Sequence, residues 1–297
     1  MTLQQLRQVL TIAESNSMNE AAKKLFVSQP NLSATVREVE EELGITVFMR
    51  NNRGITVTAE GEEFLGYAKQ VVEQYHLLEN RYLNVESKKK FSVSMQHYSF
   101  AVKAFVQLAK EVGMDEYEFA VHETKTKEVI DNVKNLKSEI GVLYLSDFNE
   151  KVLRKLFKEC DIEFKELFTC NTYVYLWKKH PLAGQKEITL DDLQEYPCLT
   201  FEQGVNNSFY YAEEMMSTYE YKRVIKADDR ATMLNLMVGL NGFTLCSGII
   251  SEDLNGNDYA AIPLKESEKM HIGYIKHKGT KLSKLGEIYI DALKNYE

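Results

Sequence analysis

Asn16 to Gly44 reads NSMNEAAKKLFVSQPNLSATVREVEEELG, and its helix punctuation leaves few folds open. Asn16-Ser17 is a helix cap, and Met18 to Leu25 makes a short helix with small, buried Ala21 and Ala22. Phe26-Val27 is a tight turn. Ser28 caps a second helix with Gln29 and Pro30 in its first turn, where the missing proline N–H would be unpaired anyway. Leu32, Val36, Val39 and Leu43 recur every three to four residues and turn one face to a core. The opposite face carries Ser28, Gln29, Pro30, Asn31, Ser33, Thr35 and Arg37, mostly short or bidentate hydrogen-bonding groups. Two helices across such a turn make a helix-turn-helix, whose second helix can lie in a DNA major groove. There Gln and Asn can pair bidentately with adenine, and Arg with guanine or phosphate. An ordinary helical hairpin with a solvated polar face has the same spacing, and spacing alone leaves both readings open.

The flanks extend the module. Thr2 to Ser15 is an amphipathic helix with Leu3, Leu6, Val9, Leu10 and Ala13 inward. Gly44 ends the second helix. Thr46-Val47-Phe48 and Ile55-Thr56-Val57 are β-prone runs around Asn51-Asn52-Arg53-Gly54, a hairpin wing. Arg50 and Arg53 lie in it, and Arg53 at the tip can reach a minor groove. Residues 1–58 hold six basic and six acidic side chains, so the net charge of −8 lies in the remainder of the chain. A neutral module binds nonspecific DNA weakly, and a dimer or larger assembly is needed to sum phosphate contacts.

Thr58 caps a long helix with acids in its first turn. Leu65, Ala68, Val71, Val72, Tyr75, Leu78, Tyr82 and Val85 mark an apolar stripe out to Ser87. A helix of nearly thirty residues with no core of its own needs a partner, and the same helix of a second subunit supplies one. Leu65, Val72, Leu78 and Tyr82 are the residues expected in that interface. Ser87-Lys88-Lys89-Lys90 is a hinge.

From Phe91 strands and helices alternate, which implies a parallel sheet with helices on both faces. Cys160 to Leu167 is expected to cross to a second lobe, Phe209 to Ser217 to be a helix, and Ile262 to Glu268 to return. Ligands bind outside the carboxyl ends of strands in open sheets. Those ends carry Gln96, His97, Tyr98 and Ser99; Thr124 and Thr126; Phe201 and Gln203; and Cys246 and Ser247. Ser99 and Thr126 stand at helix N-termini, expected either as caps or as partners of a carboxylate or other anion.

The 297-residue chain is 44 % hydrophobic, enough for two or three domains with proper cores. No Gly-rich phosphate loop, nucleophile elbow, His-Glu-x-x-His or dinucleotide fingerprint occurs, so no catalytic residue and no cofactor is assigned and the chain is read as not an enzyme. Cys160, Cys170, Cys198 and Cys246 lack metal spacing and read as buried free thiols, and no metal site is assigned. Gly242 to Ile250 is the longest apolar run, too short for a bilayer. The N-terminus has no export signal architecture, which places the chain in the cytoplasm.

Leu3 to Leu65 resembles the winged helix-turn-helix of LysR-type transcriptional regulators. The matching residues are Ala13, Ser17, Ala21-Ala22, Leu25, Ser28-Gln29-Pro30, Leu32-Ser33, Val39-Glu40, Leu43-Gly44, Phe48, Arg50, Thr58 and Gly61. Further on, Glu123…Thr126, Ile140-Gly141-Val142, His180-Pro181-Leu182-Ala183, Leu190-Asp191-Asp192-Leu193 and Val238 to Gly242 resemble that family's periplasmic-binding-protein-like effector domain. The resemblance implies an α/β chain with an N-terminal all-α winged helix-turn-helix and a two-lobed effector domain. The divisions are 1–58 for DNA binding, 59–90 for the linker helix and hinge, and 91–297 for effector binding, with lobe 1 at 91–161 and 267–297 and lobe 2 at 162–266. It implies a sequence-specific regulator controlled by a small, anionic metabolite, with effector contacts at Ser99 and Thr126. The implied partners are a double-stranded operator with inverted-repeat half-sites, a co-inducer, and a second copy in a dimer or dimer of dimers. RNA polymerase is a further candidate partner. The alternative is an architectural DNA binder whose effector domain only oligomerises.

Overall fold

Thr2 opens α1 (Leu3–Ala13) with a reciprocal cap: its hydroxyl accepts the Gln5 N–H at 3.2 Å and the Gln5 side chain accepts the Thr2 N–H at 2.8 Å. Ser17 and Ser28 start α2 (Met18–Lys24) and α3 (Gln29–Leu43) by accepting the N–H groups of Glu20 and Asn31. Gly44, at φ 69°, ends α3 in the left-handed region where a Cβ would be strained. Val9, Ile12, Met18, Ala21, Leu32, Val36 and Val39 close one core with Val47 and Phe48. The computed structural model describes residues 1–15, 17–51, 54–82, 88–113, 116–206 and 208–296. Arg53 and the side chains of Arg50 and Tyr82 lie outside the described residues, as does the helix end expected at Val85 to Ser87.

β1 (Phe48–Asn51) and β2 (Gly54–Val57) form the antiparallel hairpin, with Phe48 opposite Val57. The pairing starts later than the expected Thr46. One Glu40 oxygen accepts the N–H groups of both Val47 (2.7 Å) and Phe48 (3.0 Å), which ties the hairpin to α3 before the ladder begins.

α4 (Ala59–Tyr82) follows. The Thr58 hydroxyl accepts the Gly61 N–H at 2.9 Å. A Cβ on Gly61 would sit 2.3 Å from the Val47 carbonyl oxygen, so the helix can start this close to the hairpin only with glycine there. α4 then folds back on α1. Ala68 and Val72 are buried with Leu6, and Leu3, Leu10 and Phe64 pack around them. Arg7 reaches Glu79 at 3.3 Å and lies over the Tyr75 ring at 5.3 Å.

That packing corrects the expected subunit interface. Val72 is buried against α1 of its own chain, and Leu65 packs on the winged-helix core. Val72 follows Ala68 by one helical turn and shares its inward face. Val71 lies about 100° round the helix and does not. Among the described residues, the apolar side chains left exposed on α4 are Tyr67, Val71, Tyr75 and Leu78, a row spaced by four, four and three.

The chain divides by contacts into Met1–Ser87 and Lys88–Glu297. The second unit begins with β3 (Lys89–Met95), α5 (Ser99–Val112), β4 (Tyr117–Glu123), α6 (Thr126–Lys134), β5 (Ile140–Leu145), α7 (Glu150–Glu159) and β6 (Ile162–Asn171). A second lobe follows with β7 (Tyr173–Trp177), β8 (Cys198–Phe201), β9 (Val224–Ala227), α8 (Arg230–Leu240), β10 (Thr244–Cys246), the single turn α9 (Glu252–Asn255) and β11 (Tyr259–Pro263). β12 (Lys269–His277) and α10 (Lys284–Lys294) return to the first lobe.

The first sheet has the order β4-β3-β5-β12-β6. Its β3, β4 and β5 are parallel, but β12 runs antiparallel to both β5 and β6, so the sheet is mixed rather than wholly parallel. Pairing with β12 along its length also places β6 in the first lobe, although Cys160 to Leu167 was expected to cross to the second. The crossing falls at Thr172. Its N–H donates to Ser267 Oγ (2.7 Å) and its hydroxyl to the Glu268 carbonyl (2.8 Å), which binds outgoing and returning chains together.

In the second lobe β7 lies between β10 and β11, antiparallel to both, and β8 pairs with β9 in parallel. Phe209 to Ser217, expected as a helix, forms only a 3-10 turn at Phe209–Tyr211. The reason is burial. Glu213, Glu214 and Met215 are consecutive and all buried, which one face of a surface helix cannot achieve.

Gly61→Ala should destabilise the N-terminal unit by about 1–3 kcal/mol through overpacking. Urea unfolding of the full chain followed at the N-terminal unit checks it. Gly239→Ala on α8, with nothing within 4 Å of the added carbon, is the control. An unchanged midpoint for Gly61→Ala would contradict the contact.

Candidate functional site

The first candidate surface is the start of α3. Leu32, Val36 and Val39 face the core, while Ser28, Pro30, Asn31 and Arg37 are exposed and Gln29, Ser33 and Thr35 half-buried. Gln29, Ser33 and Arg37 form one row along the helix, and Asn31 and Thr35 a second. Exposed Pro30 and Ala34 lie between them. Gln29 Nε2 donates to Ser33 Oγ at 2.7 Å, which holds the amide along the helix surface. The Thr35 hydroxyl donates back to the Asn31 carbonyl at 3.2 Å and is partly committed to its own helix. The acids at the far end of α3 are also engaged. Glu38 accepts from Gln5, Glu40 from the hairpin and Glu42 from the N-terminal ammonium, so they are drawn away from the reading end.

The second candidate is an open-mouthed cavity between the two lobes. Of the residues expected there, His97, Tyr98, Ser99, Phe201, Cys246 and Ser247 line it. Gln96, Thr124, Thr126 and Gln203 do not, because their polar atoms are used inside the protein. Gln96 donates to Thr126 Oγ1 and its carbonyl oxygen accepts from the Tyr98 hydroxyl (3.0 Å) and the Tyr144 N–H (3.2 Å). Thr126 donates its hydroxyl to the Tyr211 carbonyl (2.8 Å) and its N–H to Gln203 Oε1 (3.2 Å). The Thr124 hydroxyl donates to Glu128.

Nor are Ser99 and Thr126 caps. Extended Tyr98 and Lys125 take the cap positions of α5 and α6, neither with a side-chain cap bond, and the two hydroxyl residues fall one position later. Their helix starts receive partners from far along the chain instead. Glu213 Oε2 accepts the His97 N–H at 2.9 Å and His97 Nδ1 at 2.7 Å, while Glu213 Oε1 accepts from Gln203 Nε2 at 2.9 Å. The His97 ring stacks on Phe201 at 3.6 Å between centroids. The carboxylate expected at these turns is thus the chain's own.

Beside it Glu214 is also buried, and its Oε1 accepts the Phe201 N–H at 2.8 Å. Burial, then the Glu213 charge, push the Glu214 carboxyl up to about 8, so it is largely protonated at neutral pH. Arg230 enters the lining with its guanidinium committed to Glu123 Oε1 through Nε (3.0 Å) and Nη2 (2.7 Å). Met233, Met237, Leu245, Ile249 and Ile250 make the apolar part of the lining, and Tyr175, Thr244 and Asn255 add polar groups. Thr244 Oγ1 is buried in this lining with no hydrogen-bond partner among the described residues. The Tyr175 hydroxyl lies by Asn255 without a well-aligned bond.

Burial raises the thiols of Cys170 to about 11 and Cys246 to about 12, and neither is a thiolate at neutral pH. Glu213 and Glu214 carry no local signal, because they lie in a stretch expected to be helical, and nothing local singles out Arg230, Met233 or Met237.

Comparisons with known proteins follow this geometry. The profile described as "Bacterial regulatory helix-turn-helix protein, lysR family" matches residues 3–62, and "LysR substrate binding domain" matches residues 114–296. The transcriptional regulator CysL of Bacillus subtilis is 26 % identical over 98 % of this chain and 97 % of its own. A full-length OxyR variant from Pseudomonas aeruginosa superposes with a TM-score of 0.71 at 19 % identity, covering 99 % of this chain and 95 % of that one. Full-length CbnR in complex with its target DNA superposes with a TM-score of 0.60 at 18 % identity, covering all of both chains.

The Glu214 carboxyl binds its proton more tightly when folded than its ordinary value of 4.5. The native state therefore holds more protons than the unfolded state between about 4.5 and about 8, and stability falls as pH rises through that window. Glu214→Gln should flatten this fall. Melting temperatures from pH 5 to 8 check it, and parallel curves for variant and parent would contradict the buried acid.

Proposed function

The chain belongs to the LysR family of bacterial transcriptional regulators, a DNA-binding helix-turn-helix followed by a substrate-binding domain, and from that premise we propose how its parts act. The first turns of α3 read operator bases through Gln29, Ser33 and Arg37, with Asn31 and Thr35 beside them. The amide of Gln29, held along the helix by Ser33, suits an adenine edge. A second copy of the chain pairs along α4 through Tyr67, Val71, Tyr75 and Leu78, the apolar row left uncovered within one chain. Pairing doubles the phosphate contacts that one neutral module lacks and presents two reading helices to two half-sites.

A small molecule bound between the lobes of the second unit changes how the paired modules hold DNA. The observation that carries this half is the cavity itself, mostly apolar with a buried, unpaired Thr244 hydroxyl in its wall. Buried polar groups are seldom left without partners, and a ligand oxygen supplies one. The raised Cys170 and Cys246 thiols favour binding over thiol chemistry as the signal.

Gln29→Ala should cost about 1–3 kcal/mol on the operator and little on random DNA. Quantitative footprints on both sequences check it, and equal losses would count against base reading. Val71→Glu should leave a folded monomer that no longer binds a two-half-site operator. Val72→Glu should instead unfold the N-terminal unit. Sedimentation and circular dichroism separate them; a Val71→Glu chain still dimeric at micromolar concentration rejects the α4 pairing. The regulatory half is checked by a metabolite screen for altered operator footprints, and it fails if no ligand that stabilises the protein changes them.

A further inference from the structure

We infer that the cleft takes an uncharged, largely apolar ligand that bonds to Thr244, and that Glu213 sets this choice by filling the carboxylate position with the chain's own side chain. This rests on the effector reading above and names the class of molecule it requires.

The position before α5 has what an acid ligand would need. It offers a backbone N–H in the turn two residues before the helix, an imidazole N–H and, across from them, an amide. All three donors already point at Glu213, at 2.9, 2.7 and 2.9 Å. At the start of α6 the N–H of Thr126 is taken by Gln203 Oε1. An anion entering the cleft would have to displace a buried carboxylate of its own sign. The basic side chains of the lining are already engaged, Arg230 with Glu123 and His97 with Glu213.

What remains open is of a different character. Thr244 is 6 % exposed and lines the cavity, and its hydroxyl, buried in the wall, has no partner among the described residues. Ser99 also lines the cavity. Around them are the thioethers of Met233 and Met237 and the side chains of Leu245 and Ile250. Thioethers and branched aliphatics accept a flexible hydrocarbon body, and a hydroxyl accepts or donates one bond to a carbonyl, ether or amide head.

The probes are hexanamide and hexanoate, one apolar body with a neutral or an anionic head. Each is titrated against the full-length protein by thermal shift and calorimetry. The wild-type chain should bind hexanamide at least tenfold more tightly than hexanoate. Glu213→Ala vacates the carboxylate position and should reverse the order, with hexanoate now stabilising the protein. Thr244→Val, close in shape, should weaken hexanamide about tenfold and leave the melting temperature of the free protein nearly unchanged, so the inference stays testable if Glu213→Ala fails to fold. Hexanoate binding the wild-type chain as tightly as hexanamide overturns the inference and leaves the cleft as an effector site. Hexanamide binding that is indifferent to Thr244→Val also overturns it, as does the absence of binding by either probe to wild type and Glu213→Ala.

Discussion

The second unit depends on where the Glu213 carboxylate sits. Burying an ionised carboxylate away from water is costly unless donors surround it. Here the donors come from both sides of the cleft: the His97 main chain and ring from the turn before α5, and Gln203 from the loop after β8. Satisfying one side chain therefore fixes the loop from Phe201 to Glu214 against the first lobe. The Tyr144 hydroxyl on the Ala212 carbonyl, the Thr126 hydroxyl on the Tyr211 carbonyl and the Arg230–Glu123 pair follow the same seam. The lobes are joined covalently only at Thr172 and near Ser267, so these contacts govern how far the cleft can open.

The N-terminal unit solves a different problem with one helix. α4 must finish the winged-helix core and still offer a surface. It does so by dividing its apolar residues between two faces. Ala68 and Val72 close on Leu6 of α1, while Tyr67, Val71, Tyr75 and Leu78 remain outside. Arg7 bridges the two faces, one end on Glu79 and its guanidinium over Tyr75. The start of α4 is set just as tightly, by the absence of a side chain at Gly61 against the Val47 carbonyl.

Much of this was legible before any coordinates. Caps at Ser17 and Ser28 and the glycine stop at Gly44 act through neighbours in sequence, and they marked α2 and α3 closely. The strand–helix alternation marked the elements of the first sheet. Long-range pairing was not legible. Nothing local tells β12 to enter antiparallel between β5 and β6, and so the sheet was expected to be parallel and β6 was placed in the wrong lobe. Period alone could not divide the α4 stripe between its own α1 and a partner. Six of the ten residues expected at strand ends line the cavity, because strand ends identify themselves. Gln96, Thr126 and Gln203 were polar residues at the right ends, but their atoms are spent on each other. Glu213, Glu214 and Thr244 acquire meaning only when the lobes meet.

The most direct measurement of the central interaction is amide hydrogen exchange at His97 and Thr126 in the ligand-free protein. Both N–H groups belong to turns between a strand and a helix, where exchange is ordinarily fast. Held by Glu213 and Gln203, they should exchange slowly, at rates near those of the β3 and β5 core, and His97 should lose that protection in Glu213→Ala. Fast exchange at both positions in the unmodified chain would contradict the internal carboxylate and the joining of the lobes that rests on it.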